Sequence, residues 1–294
     1  MTDHTLSAVV LDRRRFLFLS AGAAAGVLLA GCGSSPSGPL AGLDGDLQVV
    51  KRFPSDALVP GRVRLAVSLA DSRGILGVDG RVRLPGQLTA SVVDTVTGAT
   101  VVSGLVAPLH SKGLEQPYWL FEVEVDTMGT FFLDIDDAPD GQAGFQLMDP
   151  SLVSVPVVGS ALPPVDTPTV RDNQGVDPLC TRSGGPCPFH DITLAEALAT
   201  GRPVAYLVGT PAFCSTGTCA PALDFLVERA SVGGDTVFVH ADIYTDSTAT
   251  KVSPAVEAYG LTYEPVLFVT DATGIVRHRL DIVYDLTELR AVLP

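Results

Sequence analysis

Residues 204–221 read Val204-Ala205-Tyr206-Leu207-Val208, then Gly209-Thr210-Pro211-Ala212-Phe213, then Cys214-Ser215-Thr216-Gly217-Thr218-Cys219-Ala220-Pro221. Five apolar residues in a row, without alternation, are the pattern of a strand covered on both faces, as parallel sheets require. The loop that follows delivers two cysteines to the start of a helix predicted from about Pro221 to Ala230, apolar at Leu223, Leu226 and Val227. Were 214–219 one continuous helix, rise and rotation would part the two Cα atoms by roughly 8.5 Å. A disulfide rarely tolerates more than about 7 Å. A bond between Cys214 and Cys219 therefore needs Ser215–Thr218 to be a loop, which Gly217 eases, with the helix opening near Pro221.

Outward from this stretch, strands and helices alternate. Thr193-Leu194-Ala195-Glu196 is a capping box opening a short helix that Gly201 can close. A strand is expected at 236–241, a helix near 255–259, strands at 266–269 and 275–280 around the turn Asp271-Ala272-Thr273-Gly274, and a last helix from about Asp285 to Leu293. This order, with a cysteine pair between the first strand and its helix, resembles the thioredoxin fold over about 115 residues. Tyr263-Glu264-Pro265 before an apolar strand is similar to that family's cis-proline segment. The resemblance implies a cis bond before Pro265, which would face the cysteines and help bind a substrate chain.

The family's motif is CxxC, whereas the spacing here is CxxxxC, with Phe213 where Trp is usual. A second register sets Cys219-Ala220-Pro221-Ala222 on CxxC and would make Ala222 the resolving position; distance from the strand favours Cys214 as the first cysteine. At a helix N-terminus its thiolate gains from unpaired N–H groups and the helix dipole. Some peroxiredoxins share the CxxxxC spacing, but Pro211 stands where their Thr or Ser is required. Glu264 admits three readings: a charge that raises the Cys214 pKa, a proton acceptor for Cys219, or a solvated rim carboxylate.

Cys180 and Cys187 bracket Thr-Arg-Ser-Gly-Gly-Pro, and a structural disulfide is the expectation. Alternatives are a zinc site from Cys180, Cys187, Cys214 and Cys219, or a copper site from Cys214, Cys219 and His240 similar to those of thioredoxin-fold copper-delivery lipoproteins. His190 could cover such a site, although a loop histidine is the simpler account, and His240 ends an apolar strand as a packed residue. No cofactor is expected.

The N-terminus carries an address. Arg13, Arg14 and Arg15 precede the apolar run Phe16–Ala30, too short to span a membrane but suited to a signal peptide. Leu29-Ala30-Gly31-Cys32 resembles a bacterial lipobox, and Arg13-Arg14-Arg15-Phe16-Leu17 resembles the twin-arginine export motif. The resemblance implies acylation of Cys32 and anchoring to the cell membrane on its extracytoplasmic side. Cys32 then accounts for the odd cysteine among five, and export permits the other four to pair.

The expected organisation is a signal peptide at 1–31, a Gly/Ser/Pro tether at 32–45, a β-sandwich domain at 46–158, a Pro-rich linker at 159–178 and a thioredoxin-like domain at 179–294. Alternation at 62–67, 89–94, 100–106, 119–125 and 129–135 suggests an immunoglobulin-like sandwich, with hairpin turns at 95–98 and 126–128. His110 reads as a solvated loop residue. The fold class is thus an α/β thioredoxin-like C-terminal domain plus an all-β, immunoglobulin-like sandwich N-terminal domain.

Composition narrows the partners. The chain has 294 residues, 46 % of them hydrophobic, and a net charge of −14. Loss of residues 1–31 removes three Arg and two Asp and leaves −15. Such acidity excludes nucleic acid as a partner class, because neutralising phosphates needs a basic face. The function expected is a lipid-anchored thiol–disulfide oxidoreductase using Cys214 and Cys219, acting on exported protein thiols or a redox partner protein. The alternatives are a redox-inert binding lipoprotein with structural disulfides and a copper-handling protein.

Overall fold

Buried residues alternate with more exposed ones at Gln87–Asp94 and Gly129–Ile135, whereas residues 65–70 and 118–121 are buried without a break. A computed structural model describes residues 47–138 and 141–293; the signal peptide, Cys32 and the tether lie outside the described residues. Eight strands, β1 (Gln48–Lys51), β2 (Gly61–Asp71), β3 (Gly74–Ile75), β4 (Gln87–Asp94), β5 (Thr100–His110), β6 (Tyr118–Val125), β7 (Gly129–Ile135) and β8 (Gln142–Leu147), form one sheet. Its order is β1-β2-β6-β5-β4-β7-β8, with β3 added to β2 and every pair antiparallel. The two ends approach closure, where Lys51 Nζ donates to the Gly144 carbonyl at 3.0 Å. Trp119, Phe121, Phe131 and Phe145 fill the interior with Leu65, Leu88 and Leu133.

The expected sandwich is therefore corrected to a single, nearly closed, barrel-like sheet. The physical reason lies in β5, which pairs with β4 up to Pro108 and then with β6 through Leu109 and His110. One long strand thus joins what would otherwise be two stacked sheets. The turn at 95–98 does connect paired strands, and Gly98 N–H donates to the Asp94 carbonyl at 2.9 Å. Residues 126–128 do not close a hairpin: β6 pairs with β2 and β5, and β7 with β4 and β8. His110 is not a solvated loop residue either. It ends β5, stacks on Tyr118 at 4.8 Å and sets Nδ1 3.1 Å from Asp285 Oδ1.

The second sheet has four strands, β9 (Val204–Val208), β10 (Val237–Ala241), β11 (Val266–Thr270) and β12 (Val276–Asp281), in the order β10-β9-β11-β12. Only β9 and β10 are parallel; β11 runs antiparallel to both its neighbours. Helices α1 (Leu194–Ala199), α2 (Cys219–Ser231), α3 (Pro254–Tyr259) and α4 (Leu286–Val292) accompany it. The Thr193–Glu196 capping box opens α1. Residues 159–178 do not hang free: Gly159 and Leu162 N–H groups bond to Val276 and Gly274 carbonyls, and Ala161 bridges Ile275 along the β12 edge.

The fold class is corrected as well. Strand takes 34 % and helix 14 %, so the protein is mainly β rather than α/β with a separate thioredoxin-like domain. The two sheets also share a core. Ala66, Leu114, Tyr118 and Leu120 pack with Leu207, Leu223, Phe225 and Leu289. Across that seam the half-buried Arg64 donates to both carboxylate oxygens of the buried Glu288 and to the Val283 carbonyl, and Tyr118 OH donates to Glu288 at 2.5 Å.

Removing one partner of a buried pair strands the other charge. Glu288→Ala is expected to lower stability by about 3–5 kcal/mol. Denaturant unfolding followed through Trp119, the only tryptophan in the chain, measures it.

Candidate functional site

The carbonyl end of β9 is where the functional side chains converge. Gly209 follows that strand, and a Cβ there would meet Pro265 Cβ at 3.1 Å and Cys219 Sγ at 3.6 Å. The Glu264–Pro265 bond is cis. Only the absence of a side chain at 209 lets the proline and the cysteine approach this closely.

Cys214 and Cys219 lie on the first side of Gly209. The Ser215–Thr218 segment is a loop, as disulfide geometry requires, with Gly217 at φ +67° and its N–H bonded to the Cys214 carbonyl at 3.2 Å. Helix α2 opens at Cys219, two residues before Pro221, which falls in the first turn. Cys214 is half-buried and Cys219 buried. A hydrogen bond from the Cys219 thiol pulls the Cys214 pKa down to about 4, against the upward push of burial, helped by Thr216 and by the N–H groups of Cys219 and Thr218. Burial raises Cys219 far above the thiol range, as do its donation to Cys214 and the charge of Glu264.

Glu264 is not a solvated rim carboxylate. Its Oε2 accepts from Thr210 N–H at 2.7 Å and lies 3.3 Å from Cys219 Sγ, whose single proton is shared between Glu264 and Cys214, and burial lifts the Glu264 pKa to about 7. The acid thus touches the second cysteine of the pair.

Arg52, from the segment after β1, was not legible as a site residue, for it stands 162 positions before Cys214. It is buried; its charge state is weakened by burial and supported by Cys214. Nη1 donates to Gln116 Oε1 at 3.2 Å, whereas Nε and Nη2 have no partner among the described residues. Beside it a cleft of ≈ 410 Å³ runs between Gly113–Gln116 and Gly217–Pro221, bounded by Phe225.

On the other side of Gly209 lie Cys180, Cys187, His190 and His240, all buried and with their ligand atoms within 4.8 Å of one another. The expected Cys180–Cys187 disulfide is not formed, and all four described cysteines are free thiols. A hydrogen bond from Cys187, aided by His190 and His240, draws the Cys180 pKa well below the thiol range despite burial. Cys187 N–H also points at Cys180 Sγ, at 3.4 Å. His240 is carried by β10 beside Leu207, and its Nε2 donates to the Gly209 carbonyl at 2.9 Å. A carbonyl only accepts, so Nε2 carries a proton; in the neutral ring Nδ1 then offers a lone pair to the cysteines, and in the charged ring it donates to Cys180.

The four cysteines therefore sort into two clusters, which removes the zinc set drawn from all four. The copper set of Cys214, Cys219 and His240 is corrected too, because His240 Nδ1 faces Cys180 and Cys187 at 3.8 and 3.5 Å. Asp242 ties the clusters together: it accepts from Thr181 N–H and Oγ1 at 2.8 and 2.9 Å, and Thr181 Oγ1 meets Thr210 Oγ1 at 3.1 Å. No family model and no curated protein matches the sequence of this chain.

The charged and titratable groups facing Cys214 are Arg52, Cys219 and Glu264. Since the thiolate is the reactive form, iodoacetamide alkylation of Cys214 should run at a constant rate from about pH 5 to 8 and fall only as the thiolate protonates near about 4. A rate that climbs through about 8.5 would mark an ordinary thiol.

Proposed function

We propose that this protein is an extracytoplasmic thiol–disulfide oxidoreductase, held at the membrane through Cys32, in which Cys214 attacks and Cys219 resolves. The observation that carries the reading is the asymmetry of the pair: an ionised, half-exposed Cys214 at the opening of α2, and a buried, protonated Cys219 against Glu264.

The Cys214 thiolate attacks one sulfur of a target disulfide, forms a mixed disulfide and expels the other sulfur as a thiolate. Cys219 then passes its proton to Glu264 and attacks Cys214 Sγ. That step closes the Cys214–Cys219 disulfide and releases the second target sulfur, so the target gains the two electrons that the pair loses. The reverse sequence oxidises a dithiol. The cleft lined by Gln116, Thr218 and Phe225 offers an extended chain a seat beside the cysteines.

Glu264 must be ionised to accept the proton, and Cys214, Cys219 and Asp242 face it. Resolution of a mixed disulfide at Cys214 should accelerate as pH rises through about 7. Glu264→Gln should abolish that rise and slow the step by on the order of 100-fold, as stopped-flow release of a chromogenic thiol would record.

The decisive test is the reduction potential of Cys214–Cys219, read by mass-tagged thiols across glutathione buffers. A value between about −120 and −270 mV is expected of a working oxidoreductase. A value well below about −300 mV, or reduction only on unfolding, would make the pair a staple.

A further inference from the structure

Two histidine nitrogens face each other in the second cluster. His240 Nδ1 and His190 Nε2 are 3.2 Å apart, and in the neutral imidazole that a metal requires, donation from Nε2 to Gly209 leaves the first of these with its lone pair free. Cys187 Sγ lies 3.3 Å from His190 Nε2 and 3.5 Å from His240 Nδ1, and Cys180 Sγ lies 3.8 Å from His240 Nδ1. Four electron-rich atoms converge on one point in the core.

Four of the six distances among them match the edges of a coordination tetrahedron, and all six lie within 4.8 Å. With zinc–sulfur bonds of about 2.3 Å and zinc–nitrogen bonds of about 2.05 Å, tetrahedral edges are about 3.3 Å for N···N and about 3.5 Å for N···S. The observed edges are 3.2 Å for N···N and 3.3, 3.5 and 3.8 Å for N···S. We infer that Cys180, Cys187, His190 and His240 form a structural zinc site that is separate from the thiol pair proposed above.

Three features favour Zn²⁺. Two thiolates cancel its charge, which a buried site needs. Imidazole and thiolate donors in a tetrahedral set suit zinc, and four protein ligands leave no position open for catalysis. Three of the four ligands have outer contacts of the kind a ligand shell supplies: Gly209 fixes the His240 tautomer, and Cys187 N–H and Phe189 N–H point at the two sulfurs, whereas His190 Nδ1 is buried without a partner among the described residues. Phe189, stacked on Phe238 at 5.4 Å, gives the site an apolar cover. The ligands come from the segment before α1 and from β10, so the metal would pin that segment onto the sheet.

The test uses the chain from residue 33 onward, produced with its thiols reduced, together with the full-length protein extracted from membranes. Elemental analysis should find one zinc per chain, and cobalt replacement should give the intense visible bands of a tetrahedral thiolate site. The Cys214→Ser/Cys219→Ser protein should keep its zinc, whereas His190→Ala should weaken binding by more than about 100-fold, beyond what outer partners contribute. Should His190→Ala misfold, thiol counting on the wild type decides: Cys180 and Cys187 should resist alkylation until a chelator is added. Peptide mapping that finds a Cys180–Cys187 disulfide in the membrane-extracted protein would overturn the proposal. Stoichiometric copper on these ligands would do so too, as would zinc lost only when Cys214 and Cys219 are replaced. None of these outcomes depends on the redox activity of Cys214.

Discussion

Gly209 sits at the carbonyl end of β9 with Pro265 and Cys219 packed where a side chain would be, and its own carbonyl is bonded to His240. Both cysteine clusters depend on this one backbone position. An alanine would push its Cβ to 3.1 Å from Pro265, displacing the cis segment that holds Glu264 against Cys219. Any shift of the carbonyl would free His240 to turn Nδ1 away from Cys180 and Cys187. The segment before α1, α2, β10 and the turn before β11 meet only because the strand ends without bulk.

The barrel-like sheet contributes chemistry as well as support. Arg52, from the segment after β1, interacts electrostatically with Cys214, and residues 113–116 form one wall of the cleft whose other wall is the cysteine loop. The Arg64–Glu288–Tyr118 network and the His110–Asp285 pair hold that wall in register with α4. Buried charges that pair across a seam make the relative position of the two sheets specific, since sliding would strand each of them. The cleft therefore has walls of fixed spacing.

Local patterns were legible in the sequence and long-range pairing was not. The bounds of β9, the Thr193–Glu196 capping box and the loop at 215–218 follow from short-range chemistry, whereas the contact of Glu264 with Cys219, 45 residues apart, was one of three open readings. The class did not follow, because strand order depends on partners far apart in the chain. β5 links β4 to β6 through only its last two residues, and alternation cannot reveal such a switch. The alternation of strands and helices after residue 190 likewise described the segments while overstating helix as a share of the whole. The disulfide expected between Cys180 and Cys187 rested on spacing alone. His190, three residues beyond Cys187, was a metal-type signal, but its counterpart His240 lies 50 residues further on, where only the β9–β10 pairing brings it in. Arg52 carried no signal at all.

The central claim is a division of labour about Gly209, with metal-type ligands on one side and a redox-type thiol pair on the other. Diffraction from crystals of the protein, recorded above and below the zinc absorption edge, tests it most directly. The account predicts one anomalous peak, enclosed by Cys180, Cys187, His190 and His240, with Cys214 and Cys219 free of metal. A continuous Cys180–Cys187 disulfide, or a peak among Cys214, Cys219 and Glu264, would contradict it.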